Sequence, residues 1–354
     1  MEKKKVVIGM SGGVDSSVAA YLLKKQGYDV AGVTMETWHG ENGEGISGAI
    51  NDARRVADQL GVPYYVLDFK EEFKKNVIDY FVSEYAEGRT PNPCVVCNRF
   101  VKWEALLNRG RQIGAEYIAT GHYARIVQLE NGRYTLQEAA TGMKDQTYAL
   151  YNLTQDQLAH TIMPVGAYSK DEIRAMAEDL GLTVASKPDS QDICFIPDGD
   201  YAAFIKRENG EGFEEGNFVL RDGTVVGRHK GIVHYTVGQR KGLGLSLGRP
   251  VFVLEIRRDT NEVVVGDNED SMCTKVFAHK LNLMSVARIE EPKRVWAKIR
   301  YNHKGAWCTV TQTAEDEVMC IFDEPVRAVT PGQALVLYDN HCVLGGGIIT
   351  KGEK

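Results

Sequence analysis

The 354-residue chain is short of several things. No apolar run approaches the ~18 residues of a membrane span. The charged start, Lys3-Lys4-Lys5, leads into a β-branched stretch and a Gly-rich turn, not a long apolar segment with a small-residue cleavage site, so no signal peptide is expected. Cysteine is scarce. Seven is an odd number and too few for a disulfide scaffold at this length, which favours a reducing, cytoplasmic setting. Excess charge is also lacking: the net value of −6 excludes a histone-like polybasic protein, but not a local patch that meets nucleic acid. There is no internal repeat and no low-complexity tract. With 43% hydrophobic and 25% charged residues the chain is globular. At roughly 150 residues per domain its length allows two to three domains.

Up to about Lys206, short β-branched runs alternate with helical patterns. The runs are Val6 to Met10, Asp29 to Met35, Val62 to Phe69 and Tyr117 to Thr120. Between them lie Ser16 to Gln26, Ile50 to Leu60, Glu71 to Tyr85 and Lys102 to Gly110, and a further helix runs from Lys170 to a stop at Gly181. This alternation predicts a parallel sheet covered on both faces. From about Arg207 glycine becomes frequent and short strands replace helices, as expected of a small β-rich module. From about Ala278 evenly spaced strands (294–301, 306–312, 317–322, 334–338 and 343–349) predict a closed barrel or a sandwich. The expected domains are therefore 1–206, 207–277 and 278–354. The segment Gly40 to Gly48 is expected to be mobile, with no role assigned.

Gly9-Met10-Ser11-Gly12-Gly13-Val14-Asp15-Ser16-Ser17 follows the first strand and opens a helix. A helix N-terminus offers unpaired N–H groups and the positive end of the dipole. Gly12 and Gly13 let the backbone approach a phosphate, and the Ser11 and Ser16 hydroxyls can donate to it. Asp15 would repel a phosphate, so its expected work is to hold Mg²⁺ or cap the turn. The plainer alternative is an ordinary strand-to-helix turn. The loop lacks the Gly-Lys pair of a Walker loop and the Gly-x-Gly-x-x-Gly of a dinucleotide fold.

Thr90-Pro91-Asn92-Pro93-Cys94-Val95-Val96-Cys97-Asn98-Arg99 is the second signal, with a helix expected to begin near Cys97. A thiol there, near Arg99 and Lys102, is expected to have a lowered pKa. Cys194 lies in Lys187-Pro188-Asp189-Ser190-Gln191-Asp192-Ile193-Cys194-Phe195. A single Cys-x-x-Cys fits a redox pair, half a zinc site or buried structural thiols. A zinc site usually needs a second pair, which is missing. Cys273, Cys308, Cys320 and Cys342 stand singly in β-rich sequence and suit the structural role.

Together with Ala119-Thr120-Gly121-His122-Tyr123, Lys144-Asp145-Gln146-Thr147-Tyr148, Asp192-Ile193-Cys194-Phe195-Ile196 and Tyr235-Thr236-Val237-Gly238-Gln239-Arg240-Lys241-Gly242-Leu243-Gly244, these segments resemble the tRNA-specific 2-thiouridylases over nearly the whole chain. The resemblance implies an adenine-nucleotide α-hydrolase-like parallel-sheet domain followed by a β-rich central domain and a C-terminal β-barrel. It implies ATP- and Mg²⁺-dependent replacement of the 2-oxygen of the wobble uridine (position 34) by sulfur, with release of AMP and pyrophosphate. Gly9, Met10, Ser11, Gly12, Gly13, Val14, Asp15, Ser16, Met35 and Gly121 match the ATP site. Asn92, Pro93 and Cys94 match the region that meets the target base. His122, Lys144, Asp145, Gln146, Arg300, Tyr301 and Gln333 match tRNA contacts. Cys97 matches the nucleophile and Cys194 the persulfide carrier, the two linked through thiol–disulfide exchange. The implied partners are a tRNA anticodon stem-loop and a sulfur donor such as a cysteine desulfurase or a sulfur relay protein, with no membrane. Many members carry Asp where this chain has Cys94. Three converging cysteines would also suit a [4Fe–4S] cluster with one open iron, which leaves two routes for sulfur, persulfide or cluster-bound sulfide.

Lys293 to Lys304 holds five Lys/Arg and no acid. Strand alternation puts Arg294, Trp296, Lys298 and Arg300 on one face, suited to phosphates and stacked bases. Gln239-Arg240-Lys241 adds a second basic spot. Two rival functions compete: another ATP pyrophosphatase, a ligase or a thiolase for a different base, and a non-catalytic RNA-binding protein with a relic loop.

Overall fold

In a computed structural model, the described residues are 3–38, 47–188, 193–210 and 212–354. Most of the Gly40–Gly48 segment, and Asp189 to Asp192 of the Cys194 motif, lie outside them. The chain forms two compact units, one of Met1–Val77, Cys94–Phe195 and Asn340–Val343, the other of Ile78–Pro93, Ile196–Asp339 and Leu344–Lys354. No helix among the described residues is long and apolar enough to cross a membrane.

The first unit is built on five parallel strands. These are β1 (Lys5–Gly9), β2 (Asp29–Glu36), β3 (Tyr64–Asp68), β4 (Tyr117–Ala119) and a short strand numbered β7 below (Thr161–Ile162), in the order β3-β2-β1-β4-β7. A hairpin of β5 (Arg125–Gln128) and β6 (Tyr134–Gln137) intervenes in the chain. The β1 residues Val6, Val7 and Ile8 are buried, as a central parallel strand requires. The sheet runs on to α1 (Val14–Lys25) and α2 (Ser47–Leu60), whose Val18, Ala19, Leu23, Ala53 and Val56 enter one core with Val6 and Ile8. Strand order turns at β1, and the Gly-rich loop leaves from its carboxyl end, where ligands of open α/β sheets bind.

Two helical regions depart from the sequence expectation. Glu71 to Tyr85 was expected as one helix, but it is α3 (Lys70–Phe73), a π-helical turn (Lys74–Ile78) and α4 (Asp79–Ala86). The second helix does not begin near Cys97. It starts as α5 (Pro93–Val96), widens into a π-helical segment over Cys97–Ala105, and continues as α6 (Leu106–Gln112). Pro93 is suited to the first turn, since its missing N–H would have had no partner there. Further on lie α7 (Thr147–Leu150), α8 (Gln155–Ala159) and α9 (Lys170–Asp179). The Ser169–Glu172 capping box starts α9, and Gly181, at φ +61°, follows its end.

The second unit includes α10 (Tyr201–Asn209), so the expected boundary at residue 206 falls inside a helix. Phe204 and Tyr201 of α10 pack on Phe81 and Tyr85 of α4, with ring centroids 6.3 and 5.2 Å apart. A four-stranded sheet of β8 (Gly216–Val219), β9 (Val225–His229), β10 (Phe252–Arg257) and β11 (Glu262–Gly266) follows in the order β10-β11-β8-β9. The barrel-or-sandwich alternative resolves to a barrel. Strands β12 (Met272–Leu283), β13 (Lys293–Lys298), β14 (Ala306–Ala314), β15 (Glu317–Arg327), β16 (Ala334–Asp339) and β17 (Cys342–Glu353) run in the order β12-β15-β14-β13-β16-β17, and β12 pairs back to β17. The closing strand β12 carries polar residues among its apolar ones and had no clear sequence signal. Alternation on β13 holds: Val295, Ala297 and Ile299 are core, while Arg294 is exposed and Trp296 and Lys298 are half-buried. Leu337 is fully buried in the barrel core. Leu337→Ala should cost about 2–5 kcal/mol through lost contacts and a residual cavity, lowering the urea midpoint of the second unit; an unchanged midpoint would mean this barrel is not close-packed.

Candidate active site

The Gly-rich loop is locked from several sides. Gly12 has φ +69°, and a Cβ there would lie 2.4 Å from the Ala49 carbonyl oxygen. Only glycine accommodates both facts. The Ser16 hydroxyl accepts from the Ser11 N–H at 3.2 Å and lies 3.2 Å from the Ser11 hydroxyl, and the Ser17 hydroxyl donates to the Gly13 carbonyl at 2.8 Å. At the end of β4, Gly121 presses on the first turn of α1: a Cβ would sit 2.6 Å from the Ser16 nitrogen. A Cβ on Gly9 would lie 3.5 Å from the Met35 methyl carbon, so Met35 packs over the strand end. Gly9, Met10, Ser11, Gly12, Gly13, Val14, Asp15, Ser16, Met35 and Gly121 thus gather at one edge of the sheet. The start of α1 supplies N–H groups and a dipole for an anion.

Asp15 does other work than the Mg²⁺ ligation expected of it. Both its oxygens accept from the Lys170 ammonium, at 2.7 and 2.9 Å, and Oδ1 also accepts from the Tyr123 hydroxyl at 2.6 Å. This ion pair ties the start of α9 to the start of α1, so the carboxylate does not fit the role of an open metal ligand. Lys187 is a second tie. Its ammonium donates to the Gly12 carbonyl at 3.0 Å and to Asp52 at 2.8 Å. That hydrogen bond, and a second one from Arg55, hold the Asp52 carboxyl below the usual carboxylate range. Asp52 and Lys170 carried no site signal in the sequence, and Tyr123 and Lys187 lay within motifs without a role of their own, because all four reach the loop only through the fold.

The cysteines converge within the first unit. Cys94 and Cys194 are exposed, Cys97 is buried, and all seven cysteines are reduced. The three are close enough for each charge to act on the others, and Lys102 stands among them. The expectation of a lowered pKa at Cys97 is corrected here. Burial pushes its thiol up to about 12; Cys194 and Cys94 add to the rise, and Lys102 offsets part of it. The reason is position: the helix begins at Pro93, so Cys97 lies a full turn inside it, away from the dipole's positive end and out of water. Loss of hydration also raises the Cys194 thiol, with Lys102 acting against it. Burial works to depress Lys102, yet Cys97, Cys94 and Cys194 together hold its pKa above that of an ordinary lysine. The Cys194 loop is anchored by Phe195, whose ring meets Phe73 edge-on at 5.6 Å.

His122, expected at a tRNA contact, is half-buried with its ring 5.3 Å from that of Trp103 and its Nδ1 2.9 Å from the Thr120 hydroxyl. Burial, helped by Lys102, lowers its pKa to about 3, so it is neutral at physiological pH. Asp145 accepts from the Ala139 N–H at 3.2 Å and the Thr147 hydroxyl at 2.6 Å, and Gln146 accepts from the Tyr123 N–H at 2.8 Å. Asp145 therefore shapes its own loop and Gln146 ties that loop to Tyr123, while Lys144 is exposed. In the second unit Gln333 donates to the Thr90 carbonyl at 2.8 Å, two residues before Asn92-Pro93. Arg300 donates to the Arg327 carbonyl at 2.9 Å, and Tyr301 is 46% exposed, enough to stack on a base. The basic face is partly neutralised: Arg294 pairs with Asp323 at 2.5 Å and Lys293 with Asp339 at 2.8 Å.

Gly121→Ala should drive a methyl group into the Ser16 backbone and weaken ATP binding by at least about tenfold through the displaced anion cradle. Calorimetric titration checks this, and wild-type affinity would show that the loop does not carry the nucleotide.

Three family models match in succession: "tRNA methyl transferase HUP domain" over residues 4–198, "tRNA methyl transferase PRC-barrel domain" over 202–267, and "Aminomethyltransferase beta-barrel domain" over 273–349. A protein of Lachnoclostridium phytofermentans is 60% identical, over 98% of this chain and 100% of its own length. One of Clostridioides difficile is 53% identical, over 98% of both chains, and one of Acetivibrio thermocellus is 52% identical, over 99% of this chain and 100% of its own. All three are named tRNA-specific 2-thiouridylase MnmA. With identity this high over full length, and with the glycine loop and the three cysteines gathered in one parallel-sheet unit, the chain belongs to the tRNA-specific 2-thiouridylase family.

Proposed function

We propose that the protein is a tRNA-uridine 2-sulfurtransferase, which uses ATP to replace the 2-oxygen of the wobble uridine with sulfur. The observation that carries this reading is the convergence of Cys97 and Cys194 within the unit that holds the Gly12–Gly13 loop. A ligase that adenylylates a carboxylate needs the loop but not the thiols, and an RNA-binding protein needs neither.

The uracil C2 carbonyl is a poor electrophile. Transfer of AMP from ATP to its oxygen releases pyrophosphate and creates a leaving group. The loop from Gly9 to Ser16 binds the phosphates, with Met35 and Gly121 beside it. The terminal sulfur of a Cys194 persulfide then bonds to C2, the C2–O bond breaks, and AMP departs with the old oxygen. The Cys97 thiolate attacks the Cys194 sulfur. The S–S bond breaks, its electron pair stays on the transferred sulfur as 2-thiouridine, and Cys97 and Cys194 are left as a disulfide for an external dithiol to reduce. The two thiols supply the two electrons that bring persulfide sulfur to sulfide. The base must leave the anticodon stack to be reached. Asn92, Pro93 and Cys94 are assigned to that base. His122, Lys144, Asp145, Gln146, Arg300, Tyr301 and Gln333 are assigned to the tRNA, with Asp145, Gln146 and Gln333 acting through the loops they hold. We assign the chemistry to 1–206, and tRNA binding to 207–277 and 278–354, with the first boundary to be moved ahead of α10. A cysteine desulfurase or sulfur relay protein supplies the persulfide in the cytoplasm.

The convergence of Cys94, Cys97 and Cys194 also favours a second reading, sulfide held on a [4Fe–4S] cluster. Among the described residues, however, no three His, Cys, Asp or Glu side chains are arranged to hold a metal ion, so no step is routed through a cluster. Mg²⁺ accompanies the ATP phosphates, and no residue is assigned to it.

Incubation with tRNA, ATP, Mg²⁺ and a sulfur donor, followed by nucleoside mass spectrometry, should give 2-thiouridine at the wobble position, and Cys194→Ser should abolish it. Pyrophosphate release without a thionucleoside would favour the ligase reading. Arg300→Ala should weaken tRNA binding and lower the slope of log affinity against log salt by about one; unaltered affinity across a salt series would remove Arg300 from the contact surface.

A further inference from the structure

Thiolation as proposed above joins two substrates assigned to different loops: ATP to the Gly-rich loop, and the tRNA to loops that include Lys144-Asp145-Gln146. In the first step the uracil C2 oxygen attacks the α-phosphorus of ATP while the bond to pyrophosphate breaks. Reacting atoms must lie about 3–3.5 Å apart with their orbitals aligned, and a misplacement of about 1 Å can cost roughly a hundredfold in rate. Tight binding at each loop does not by itself meet that demand. The two loops must also be fixed relative to each other.

The fold joins them through the segment that follows β4. Strands β1 and β4 pair in parallel with Ile8 opposite Ala119, so both end level and the segments after them leave side by side. Gly121 abuts the first turn of α1, where a Cβ on it would lie 2.8 Å from the Asp15 carbonyl carbon. Two residues on, Tyr123 is buried and bonds in two directions. Its hydroxyl donates to Asp15 Oδ1 at 2.6 Å, the length of a charge-assisted bond, within the first turn of α1. Its backbone meets Gln146 twice. The Tyr123 N–H donates to the Gln146 side-chain oxygen at 2.8 Å, and the Gln146 N–H donates to the Tyr123 carbonyl at 3.0 Å. Lys170 already neutralises Asp15 through both carboxylate oxygens, so loss of the tyrosine hydroxyl would still leave that charge with a cation. What the hydroxyl adds is a link. One buried residue holds the start of α1 with its side chain and the 144–146 loop with its backbone.

We propose that Tyr123 is a positioning residue for the adenylylation step, holding the nucleotide loop through Asp15 and the tRNA loop through Gln146 so that ATP and the target base meet in reacting geometry. The proposal rests on the functional reading above. Its test is the single-turnover rate of pyrophosphate release by the full-length protein, given an anticodon stem-loop, Mg²⁺ and no sulfur donor, across a series of ATP concentrations. Tyr123→Phe removes only the hydroxyl. It should lower the maximal rate at least about tenfold and leave the half-saturating ATP concentration within about threefold of the wild type. An unchanged maximal rate overturns the proposal. So does a loss that lies wholly in the ATP half-saturation, which a tyrosine that merely firms the nucleotide loop would give. A second variant cuts the same link at its other end. Gln146→Leu should also lower the maximal rate, and the double variant should stay within about twofold of the slower single one, because both changes break one connection. Losses that multiply in the double variant overturn the proposal. Wild-type protein that binds ATP and the stem-loop yet releases no pyrophosphate would strike the functional reading, and the proposal with it, before any variant is compared.

Discussion

The convergence of Cys94, Cys97 and Cys194 around the half-buried Lys102 is the constraint on which the first unit's chemistry depends. Lost hydration alone favours neutral thiols at buried Cys97 and at Cys194, and a neutral amine at Lys102. Against this, Lys102 acts to lower the Cys97 and Cys194 thiols, and the three thiols act to raise Lys102. Neutral His122 fits this setting, since a second cation beside Lys102 would be repelled. Both Cys97 and Lys102 stand on the widened helix from Cys97 to Ala105.

The nucleotide end of the unit is made rigid by different means. Gly12 and Gly121 permit backbone contacts closer than any Cβ allows. Two lysines fasten the loop from a distance in sequence, Lys170 through Asp15 and Lys187 through Gly12 and Asp52. Neither contact is needed for the sheet to form. Both fix the first turn of α1, whose N–H groups must be preorganised if they are to bind charge without rearranging.

Much of this was legible in the sequence. The parallel sheet followed from β-branched runs alternating with helical periods. The barrel followed from evenly spaced strands, although strand alternation could not distinguish it from a sandwich, because closure depends on β12, whose polar residues hide its pattern. The glycine loop and the three cysteines were visible as motifs. Their electrostatics were not. The Cys97 thiol was expected to be acidic because a helix start was placed at that residue, and the start at Pro93 moved it inward, where desolvation outweighs the dipole. The pairing of Asp15, expected to hold Mg²⁺ or cap the turn, was not legible because its partner Lys170 stands 155 residues away. A π-turn has no sequence signature, so the widening of the helix from Cys97 to Ala105 was not foreseen.

The central claim is that sulfur leaves Cys194 for the base through a bond that Cys97 breaks. It is tested most directly by one quenched turnover. The full-length protein is loaded with persulfide and freed of excess donor, given ATP and an anticodon stem-loop, then alkylated and mapped by mass spectrometry. The account predicts one Cys97–Cys194 disulfide for each 2-thiouridine formed. Thiouridine that accumulates while both cysteines remain alkylatable would contradict it.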